Sequence, residues 1–291
     1  MAKTYNDVYI AARRTLRDAG VEAYGMEARL IVSRAADKTV AQFLRDLPLY
    51  AVAGFDETVE AMVERRLAGE PVAYITGGWE FYGVPLDITP DVLIPRPETE
   101  LMVEAAIRLF EGRNGRPRIL DLCAGSGCVG CAMAVHMPGA KVVMVDNDRR
   151  ALSVCRKNVQ KNRLDTRVMC IEADATGKPP MLLGKFDLLA CNAPYVPSGE
   201  IPLLDASVRK FEPWQALDGG ADGLDFYRRI IAQAPDHLVI GGRLMLEIGY
   251  DQAGAVAGLL RDKGYYGIEI IRDYGGNDRI ATAVRSMRQD R

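Results

Sequence analysis

One four-residue segment of the chain has the composition of a clamp for a planar amino or amide group. It directly follows the apolar run 186–191, which predicts a buried strand, and it consists of Asn192, Ala193, Pro194 and Tyr195. Proline lacks an N–H and has a fixed φ, so the backbone here should leave the sheet with free carbonyls. The Asn192 side-chain oxygen and a main-chain oxygen can then accept both hydrogens of one –NH2 group, with Tyr195 flat against it. The same residues are also typical of an ordinary turn.

A second segment, 119–127, predicts a strand that runs into a glycine-rich turn and then a helix. Two interpretations compete. One is a dinucleotide site, because G-x-G-x-x-G is followed about 20 residues later by an acidic residue at the end of the next strand; these residues are Gly125, Gly127, Gly130 and Asp146. The other starts from Asp121 at the strand end. Its negative charge would repel a pyrophosphate and favours a cationic ligand.

S-adenosyl-L-methionine is a cationic ligand of this kind, because it carries a sulfonium and an ammonium beside a carboxylate and a ribose. We expect Asp121 near its methionine end and Asp146 on the two ribose hydroxyls. Asp174, after the third strand, is expected to reach the adenine amino group, with Ala175 beside the ring. For each of the three carboxylates the alternative is a helix N-cap or a solvated loop position.

The bulk composition is that of a soluble globular protein. The 291 residues are 48% hydrophobic and 26% charged. The net charge of -2 argues against a broad nucleic-acid surface. No apolar run approaches the ~20 residues that span a bilayer, and the first residues lack the apolar core of a signal peptide. We therefore expect a cytoplasmic protein with no membrane partner.

The six cysteines all lie between Cys123 and Cys191, which is a poor disulfide framework for a chain of this size. Cys128 and Cys131 form a C-x-x-C, but no second pair lies at zinc-like spacing. A lone C-x-x-C on a predicted helix favours packing over metal or redox chemistry. We expect no metal site.

Apolar periodicity divides the chain into three regions. Residues 1–70 predict a small helical bundle, with helices over 4–19, 26–36, 40–47 and 56–69. Residues 71–97 predict a β-hairpin linker, because the β-prone pieces 73–76 and 79–82 flank Gly77-Gly78.

In the third region, 98–291, short apolar strands alternate with helices. The strands are expected at 118–122, 141–145, 167–171, 186–191, 243–248, 267–271 and 279–284. The helices are expected at 98–110, 128–136, 149–162, 223–234 and 252–263. This alternation predicts an α/β fold with a mostly parallel seven-stranded sheet and helices on both faces. The last two strands are close enough in sequence to form an antiparallel edge.

The chain resembles the peptide chain release factor glutamine N5-methyltransferases of the PrmC/HemK type, which are class I S-adenosylmethionine-dependent methyltransferases. The resemblance covers essentially the whole chain. It rests on the segments 69–77, 80–82, 93–100, 212–213, 216–217, 222–224 and 227–228, on Gly220, on the glycine loop and on Asp146. The family's Asn-Pro-Pro-Tyr motif corresponds to residues 192–195.

The resemblance implies a function and a set of site residues. It implies methyl transfer from S-adenosyl-L-methionine, leaving S-adenosyl-L-homocysteine, to the glutamine side-chain nitrogen of the Gly-Gly-Gln motif in class 1 release factors. The helical bundle would dock the release factor, and no direct nucleic-acid substrate is expected. The implied cofactor contacts are Asp121, Cys123, Ala124, Gly125, Ser126, Gly127, Asp146, Asp174, Ala175 and Asn192. Asn192, Ala193, Pro194 and Tyr195 form the implied substrate clamp.

The chain departs from the family pattern at two positions. Cys123 stands where the family usually has glycine, and Ala193 replaces the first proline of the motif. Alanine keeps the carbonyl that would accept from the substrate amide but loses the fixed φ, so we expect a functional but looser clamp.

Three alternatives from other classes remain open. Adenine amino methyltransferases use similar (Asn/Asp)-Pro-Pro-(Tyr/Phe) clamps, because an exocyclic amine poses the same hydrogen-bonding problem, but they require nucleic-acid contacts and base flipping. An NAD-dependent oxidoreductase would use the glycine pattern as a dinucleotide fingerprint. A non-catalytic binding module would keep the cofactor loop beside a broken clamp.

Overall fold

The computed structural model describes residues 3–113, 115–177 and 183–287. Contacts between residues divide the chain into two compact units. The helical unit comprises Met1–Gly78 and Asp205–Phe211, and the sheet unit comprises Trp79–Leu204 and Glu212–Arg291. The division at Gly78 falls inside the segment 71–97 that the sequence predicts as a linker.

The helical unit is built from short helices that bury one apolar face each. Its helices are α1 (Tyr5–Asp18), α2 (Tyr24–Ala35), α3 (Val40–Asp46), α4 (Phe55–Leu67) and α5 (Val72–Thr76). Thr4 and Thr39 begin α1 and α3 with capping boxes, in which side chains satisfy the first free N–H groups. Leu16, Ile31 and Phe43 are fully buried in the common core. The four predicted helices are confirmed, with ends within two residues.

The strand predicted at residues 73–76 is wrong, because the structure has helix α5 there. All five residues of α5 are buried, and the Thr76 hydroxyl donates to the Val72 carbonyl oxygen at 2.9 Å. Burial in the helical unit therefore outweighs the β propensity of these side chains. The hairpin instead pairs β1 (Gly78–Phe81) with β2 (Val84–Asp87). Its turn residues Tyr82 and Gly83 both have positive φ, as a two-residue type I′ turn requires.

The sheet unit contains one seven-stranded sheet. Its strands are β3 (Arg118–Leu122), β4 (Lys141–Asp146), β5 (Val168–Glu172), β6 (Phe186–Cys191), β7 (Leu238–Glu247), β8 (Tyr266–Arg272) and β9 (Asp278–Val284). The order is β5-β4-β3-β6-β7-β9-β8, and β9 runs antiparallel to both neighbours while the other pairs are parallel. The predicted mostly parallel sheet with an antiparallel edge pair is confirmed.

The helices between the strands also follow the prediction to within two residues. They are α6 (Glu100–Phe110), α7 (Cys128–His136), α8 (Arg149–Lys161), α10 (Asp225–Gln233) and α11 (Ala253–Asp262). One strand and one helix differ. Strand β7 begins at Leu238, five residues earlier than predicted, because Gly241 and Gly242 lie within the strand rather than ending it. Helix α9 (Ala206–Phe211) was not predicted, and it belongs to the helical unit.

The strand order fixes where a ligand can bind. The chain builds β3, β4 and β5 in one direction and then crosses to β6 on the other side of β3. Open α/β sheets bind ligands beyond the carboxyl ends of the strands at such a reversal. The glycine turn follows β3 and the segment 192–195 follows β6, so the topology brings these two segments to one edge. Among the described helices, none has both the length and the apolar character needed to cross a bilayer.

Asn158 joins helix α8 to the end of β2 and to the turn after β3. It is 0% exposed. Its Oδ1 accepts from the Asp87 N–H at 2.6 Å, and its Nδ2 donates to the Asp87 and Ser126 carbonyls at 3.0 and 2.9 Å. Asn158→Ala leaves these buried backbone groups unpaired and should lower the free energy of unfolding by about 2–4 kcal/mol.

Urea unfolding of the two proteins measures this difference. Gln160→Ala, an exposed change on the same helix, should stay within about 0.5 kcal/mol of the parent. Equal losses in the two variants would show that the Asn158 bonds do not stabilise the fold.

Candidate functional site

A cavity of about 390 Å³ lies where the carboxyl ends of the parallel strands meet. This volume is within the range of small-molecule sites. The residues that follow β3, β4, β5 and β6 line it, namely Cys123, Ala124, Gly125, Ser126, Asp146, Asn147, Asp148, Asp174, Ala175, Asn192 and Pro194. The sheet therefore brings nine of the ten predicted cofactor residues and two of the four clamp residues into one cavity, whereas Gly127 does not line it.

Asp121 lies at the end of β3, buried at the edge of this cavity. Its Oδ2 accepts from the Gly130 N–H in the first turn of α7, at 2.9 Å. Burial raises the pKa of Asp121 to about 7, and the Gly130 N–H acts in the opposite direction. The carboxylate thus fastens strand to helix, and a nearby cation would favour its ionised form.

The turn after β3 has left-handed backbone at Cys123, where φ is 55°. A residue with a Cβ costs roughly 1–2 kcal/mol in this conformation, which is the physical reason that glycine suits the position. The next residue ties the turn to the sheet, because the Ala124 N–H donates to the Val145 carbonyl at 3.0 Å. Gly127 also has positive φ, and a Cβ there would lie 2.8 Å from the Cys155 Sγ. The turn is therefore packed closely against its surroundings.

Asp146 connects the turn after β3 with the loop after β4. Its Oδ2 accepts from the Gly125 N–H at 2.8 Å, and its Oδ1 accepts from the Asp148 N–H at 2.9 Å. Burial raises the pKa of Asp146. Each carboxylate oxygen has a second lone pair, so both retain capacity for a ligand hydroxyl.

Asp174 and Ala175 lie beside the cavity after β5. The Asp174 Oδ1 accepts from the Thr176 N–H and hydroxyl, both at 2.7 Å, and the hydroxyl bond is the first cause of its lowered pKa. Asp174 is exposed, whereas Ala175 is buried. The carboxylate therefore forms a local turn, and its other oxygen is not used in that turn.

Asn192 is held by its own amide nitrogen. Its Nδ2 donates to the Thr99 Oγ1 at 3.2 Å, which leaves Oδ1 as an acceptor for another group. Thr99 also lines the cavity. An asparagine fixed by its nitrogen is suited to bind an amino or amide donor through its oxygen.

The structure places the other clamp residues differently from one another. Pro194 lines the cavity with Asn192, whereas Ala193 and Tyr195 are outside its described lining. Ala193 is 2% exposed and belongs to the apolar core, and Tyr195 packs against that core. The Tyr195 carbonyl accepts from the Gln252 Nε2 at 2.9 Å, and its hydroxyl lies 3.5 Å from the Glu247 Oε1. Neighbouring side chains thus hold the segment at both ends.

Two lining segments were missed when the site was predicted from motifs. Residues 91–96 and 213–216 contribute Asp91, Val92, Leu93, Pro95, Arg96, Pro213, Trp214, Gln215 and Ala216. Buried Glu212 holds both segments, because Oε1 accepts from the Arg96 Nη2 at 2.5 Å and Oε2 from the Ile94 N–H at 3.1 Å. The stretches that carry the family resemblance, 93–100, 212–213 and 216–217, overlap both segments, so the resemblance is the signal that points to them.

Of the C-x-x-C pair on α7, Cys131 is buried, whereas Cys128 is only partly buried and lines the cavity. Burial raises the pKa of Cys128 to about 12 and also raises the pKa of Cys131. All six cysteines are free thiols. Within the described part of the chain, no group of three or more potential ligands is placed to hold a metal ion.

Comparison with known proteins decides the family. Residues 99–203 match the model of the Methyltransferase small domain, and residues 7–77 match that of the PrmC N-terminal domain. A release factor glutamine methyltransferase of Agrobacterium fabrum is 36% identical over 279 residues, 95% of this chain and 96% of that protein. The one of Caulobacter vibrioides is 35% identical over 286 residues, 98% of each chain. The chain belongs to the release factor glutamine methyltransferase family.

A solved structure supports the same fold. A methyltransferase from Pyrococcus furiosus, 18% identical, superimposes with a TM-score of 0.53 over 78% of this chain and 98% of that one. The expected class I methyltransferase fold and the family resemblance are therefore confirmed. The chain is an enzyme of this family, and the oxidoreductase and non-catalytic interpretations are set aside.

The third glycine of the G-x-G-x-x-G pattern, Gly130, lies where α7 packs closely on its neighbours. A Cβ at Gly130 would lie 2.4 Å from the Met144 Sδ and 3.0 Å from the Asp121 Oδ2. Gly130 therefore lets α7 pack closely on β4. Gly130→Ala should lower the free energy of unfolding by about 1–3 kcal/mol and weaken cofactor binding, because α7, the Met144 side chain or Asp121 must shift.

Gly258→Ala in α11 is the matched control, since a Cβ there meets nothing within 4 Å. It should stabilise the fold by about 0.5–1 kcal/mol, as alanine does in a helix interior. Chemical unfolding and calorimetric titration measure both effects. If the two variants behaved alike, close packing at Gly130 would be refuted.

Proposed function

We propose that this enzyme transfers a methyl group from S-adenosyl-L-methionine to the side-chain amide nitrogen of the glutamine in the Gly-Gly-Gln motif of class 1 release factors. The observation that carries the proposal is the position of Asn192, which lines the cavity and is held by Thr99 through its nitrogen. Its oxygen is thereby left for an amide donor. The relatives' name, release factor glutamine methyltransferase, supports the same substrate.

The side chains around the cavity fit S-adenosyl-L-methionine. Asp121 is a buried carboxylate suited to the cationic methionine end, and Asp146 keeps acceptor capacity for ribose hydroxyls. We assign the adenine end to Asp174 and Ala175, and the backbone around the methionine end to the turn 123–127. When bound, the cofactor supplies an electrophilic methyl group on a positively charged sulfur.

The protein's task is then to position a poor nucleophile. The lone pair of an amide nitrogen is delocalised, so orientation and exclusion of water must supply most of the rate enhancement. The Asn192 Oδ1 and the Ala193 carbonyl would accept the two N–H groups of the substrate amide and stabilise charge that develops on nitrogen. Because Ala193 is buried, we confine its role to the main-chain carbonyl. Tyr195 packs against the apolar core, so we confine its role to supporting the segment 192–195 from outside the cavity.

We assign the helical unit to docking of the release factor. It presents several large apolar side chains to solvent, namely Ile10, Leu49, Tyr50 and Val52, and residues 7–77 match the PrmC N-terminal domain. Exposed apolar side chains of this kind are common at protein interfaces. Six free thiols fit a reducing compartment, which supports action in the cytoplasm.

Mass spectrometry of a release factor after incubation with the enzyme and S-adenosyl-L-methionine tests the reaction. We expect one added methyl group on the Gly-Gly-Gln glutamine and none when that glutamine is replaced by asparagine, whose shorter side chain does not reach the methyl donor. Radiolabelled cofactor with duplex DNA forms the second arm. Label in DNA adenine but not in the release factor would replace this function with the nucleic-acid alternative.

The role of Asn192 is tested by Asn192→Ala. We expect kcat to fall on the order of a hundredfold, as loss of one pre-aimed partner does, with nearly unchanged cofactor affinity in a calorimetric titration. Asn277→Ala, in the β8–β9 turn and outside the described lining, is the control and should retain activity. Undiminished turnover in Asn192→Ala would remove the clamp from the mechanism.

A further inference from the structure

Glu247 is a buried carboxylate next to the clamp that the mechanism above does not use. Strands β6 and β7 are parallel, with Cys191 opposite Leu246. The next residues, Asn192 and Glu247, therefore come side by side at the carboxyl edge of the sheet. Glu247 is 2% exposed. A carboxylate so deeply buried destabilises a fold unless other groups stabilise its charge, so its presence here requires an explanation.

Two hydroxyl groups of the site act on this carboxylate. The Tyr195 hydroxyl lies 3.5 Å from Oε1. Within the described residues, Oε2 has no hydrogen bond of ordinary geometry, so it retains acceptor capacity. Burial raises the pKa of Glu247 to about 7, hydrogen bonding by Thr99 and the charge of Arg279 lower it, and Glu98 raises it. Tyr195 thus faces an acceptor directly, and Thr99 contacts Asn192, which lies beside Glu247 at the edge of the sheet.

The direction of the Thr99 proton decides how Asn192 is oriented. A hydroxyl has one proton, and if Thr99 gives it to Glu247, the oxygen can only accept from Asn192. The observed contact from the Asn192 Nδ2 to the Thr99 Oγ1, at 3.2 Å, has this polarity. Without an acceptor at Glu247, the hydroxyl would be free to donate to the Asn192 oxygen. The carboxamide would then turn its –NH2 toward the –NH2 of the substrate, and two donors would face each other.

We propose that Glu247 is a positioning residue for methyl transfer, which holds the Thr99 hydroxyl as an acceptor toward Asn192 and anchors the Tyr195 hydroxyl. This inference rests on the proposed function and deepens it, because it names what fixes the polarity of the clamp. Glu247 acts through Thr99 and Tyr195 and has no contact with the cavity in the described lining.

Kinetics of four variants test the catalytic consequence. Thr99→Val removes the hydroxyl at nearly constant volume, and Glu247→Gln places an amide donor against one of the two hydroxyls. We expect each to lower kcat about 10- to 100-fold at saturating S-adenosyl-L-methionine, with the KM for this cofactor nearly unchanged. Thr99→Ser keeps the hydroxyl and should recover most of the turnover.

Thr282→Val is the matched control for Thr99→Val. Thr282 on β9 is equally buried, and its hydroxyl has no hydrogen-bond partner among the described residues. This variant should retain parental kcat. A purely structural role for Thr99 predicts instead that Thr99→Ser gives no recovery, or that cofactor KM and kcat change together. Either result would overturn the proposal.

A second measurement does not depend on the substrate. In protein labelled with ¹⁵N-asparagine, the side-chain –NH2 signals of Asn192 are those missing from Asn192→Ala. We expect them to shift in Thr99→Val and Glu247→Gln and to stay in place in Thr282→Val. Unshifted signals in Glu247→Gln would refute the effect of Glu247 on Asn192. If the signals shift as expected but the parent methylates no release factor, the positioning role of Glu247 stands and the proposed substrate fails.

Discussion

The parallel pairing of β3 with both β4 and β6 is the constraint on which the site depends. Parallel strands end at the same edge, so the turns that follow them must share one space. The chain fills that space with groups that bond to one another before any ligand enters. The Asp146 carboxylate joins the turns after β3 and β4, and Asn158 joins the turn after β3 to the hairpin. A site with its loops already fixed loses little entropy when it binds.

Much of this arrangement could be predicted from the sequence, because the informative patterns are local. Apolar runs bounded by Gly and Pro located the seven strands, and the acidic residues at three strand ends are found together along one cavity. The strand at 73–76 was predicted wrongly for a related reason. Tyr74, Ile75 and Thr76 favour strands by propensity, but these side chains are buried as a helical turn ending at Gly77, whose φ is 68°. Burial among distant residues is not visible in a short window.

The parts of the site that escaped prediction depend on long-range contacts. Glu212 holds Ile94 and Arg96, and Glu247 lies beside Thr99 and Tyr195, although these partners are far apart along the chain. No spacing rule connects them, and the contact between Glu247 and Tyr195 exists only after β6 and β7 pair. The segment 192–195 shows that a local motif can also suggest ligand contacts that the fold does not provide. Its four residues suggested four ligand contacts, whereas the backbone turns Ala193 and Tyr195 toward the core.

Buried carboxylates connect the stability of this protein with its ligand. Burial raises the pKa of Asp121 and of Glu247 to about 7, above the ordinary values of about 4. In the unfolded chain both groups lose their protons at lower pH than in the folded chain. Their contribution to stability is therefore fully present below their ordinary pKa values and is lost as the pH rises toward 7.

A cationic ligand beside Asp121 reverses part of that loss. It favours the ionised carboxylate, lowers its pKa and so releases a proton when it binds near neutral pH. Glu247 does not line the cavity. Its pKa is set by burial and by Thr99, Arg279, Glu98 and Tyr195. The two carboxylates are thus separated by function as well as by position. The pKa of Asp121 responds to a ligand in the cavity, whereas the pKa of Glu247 responds to the residues that orient the clamp.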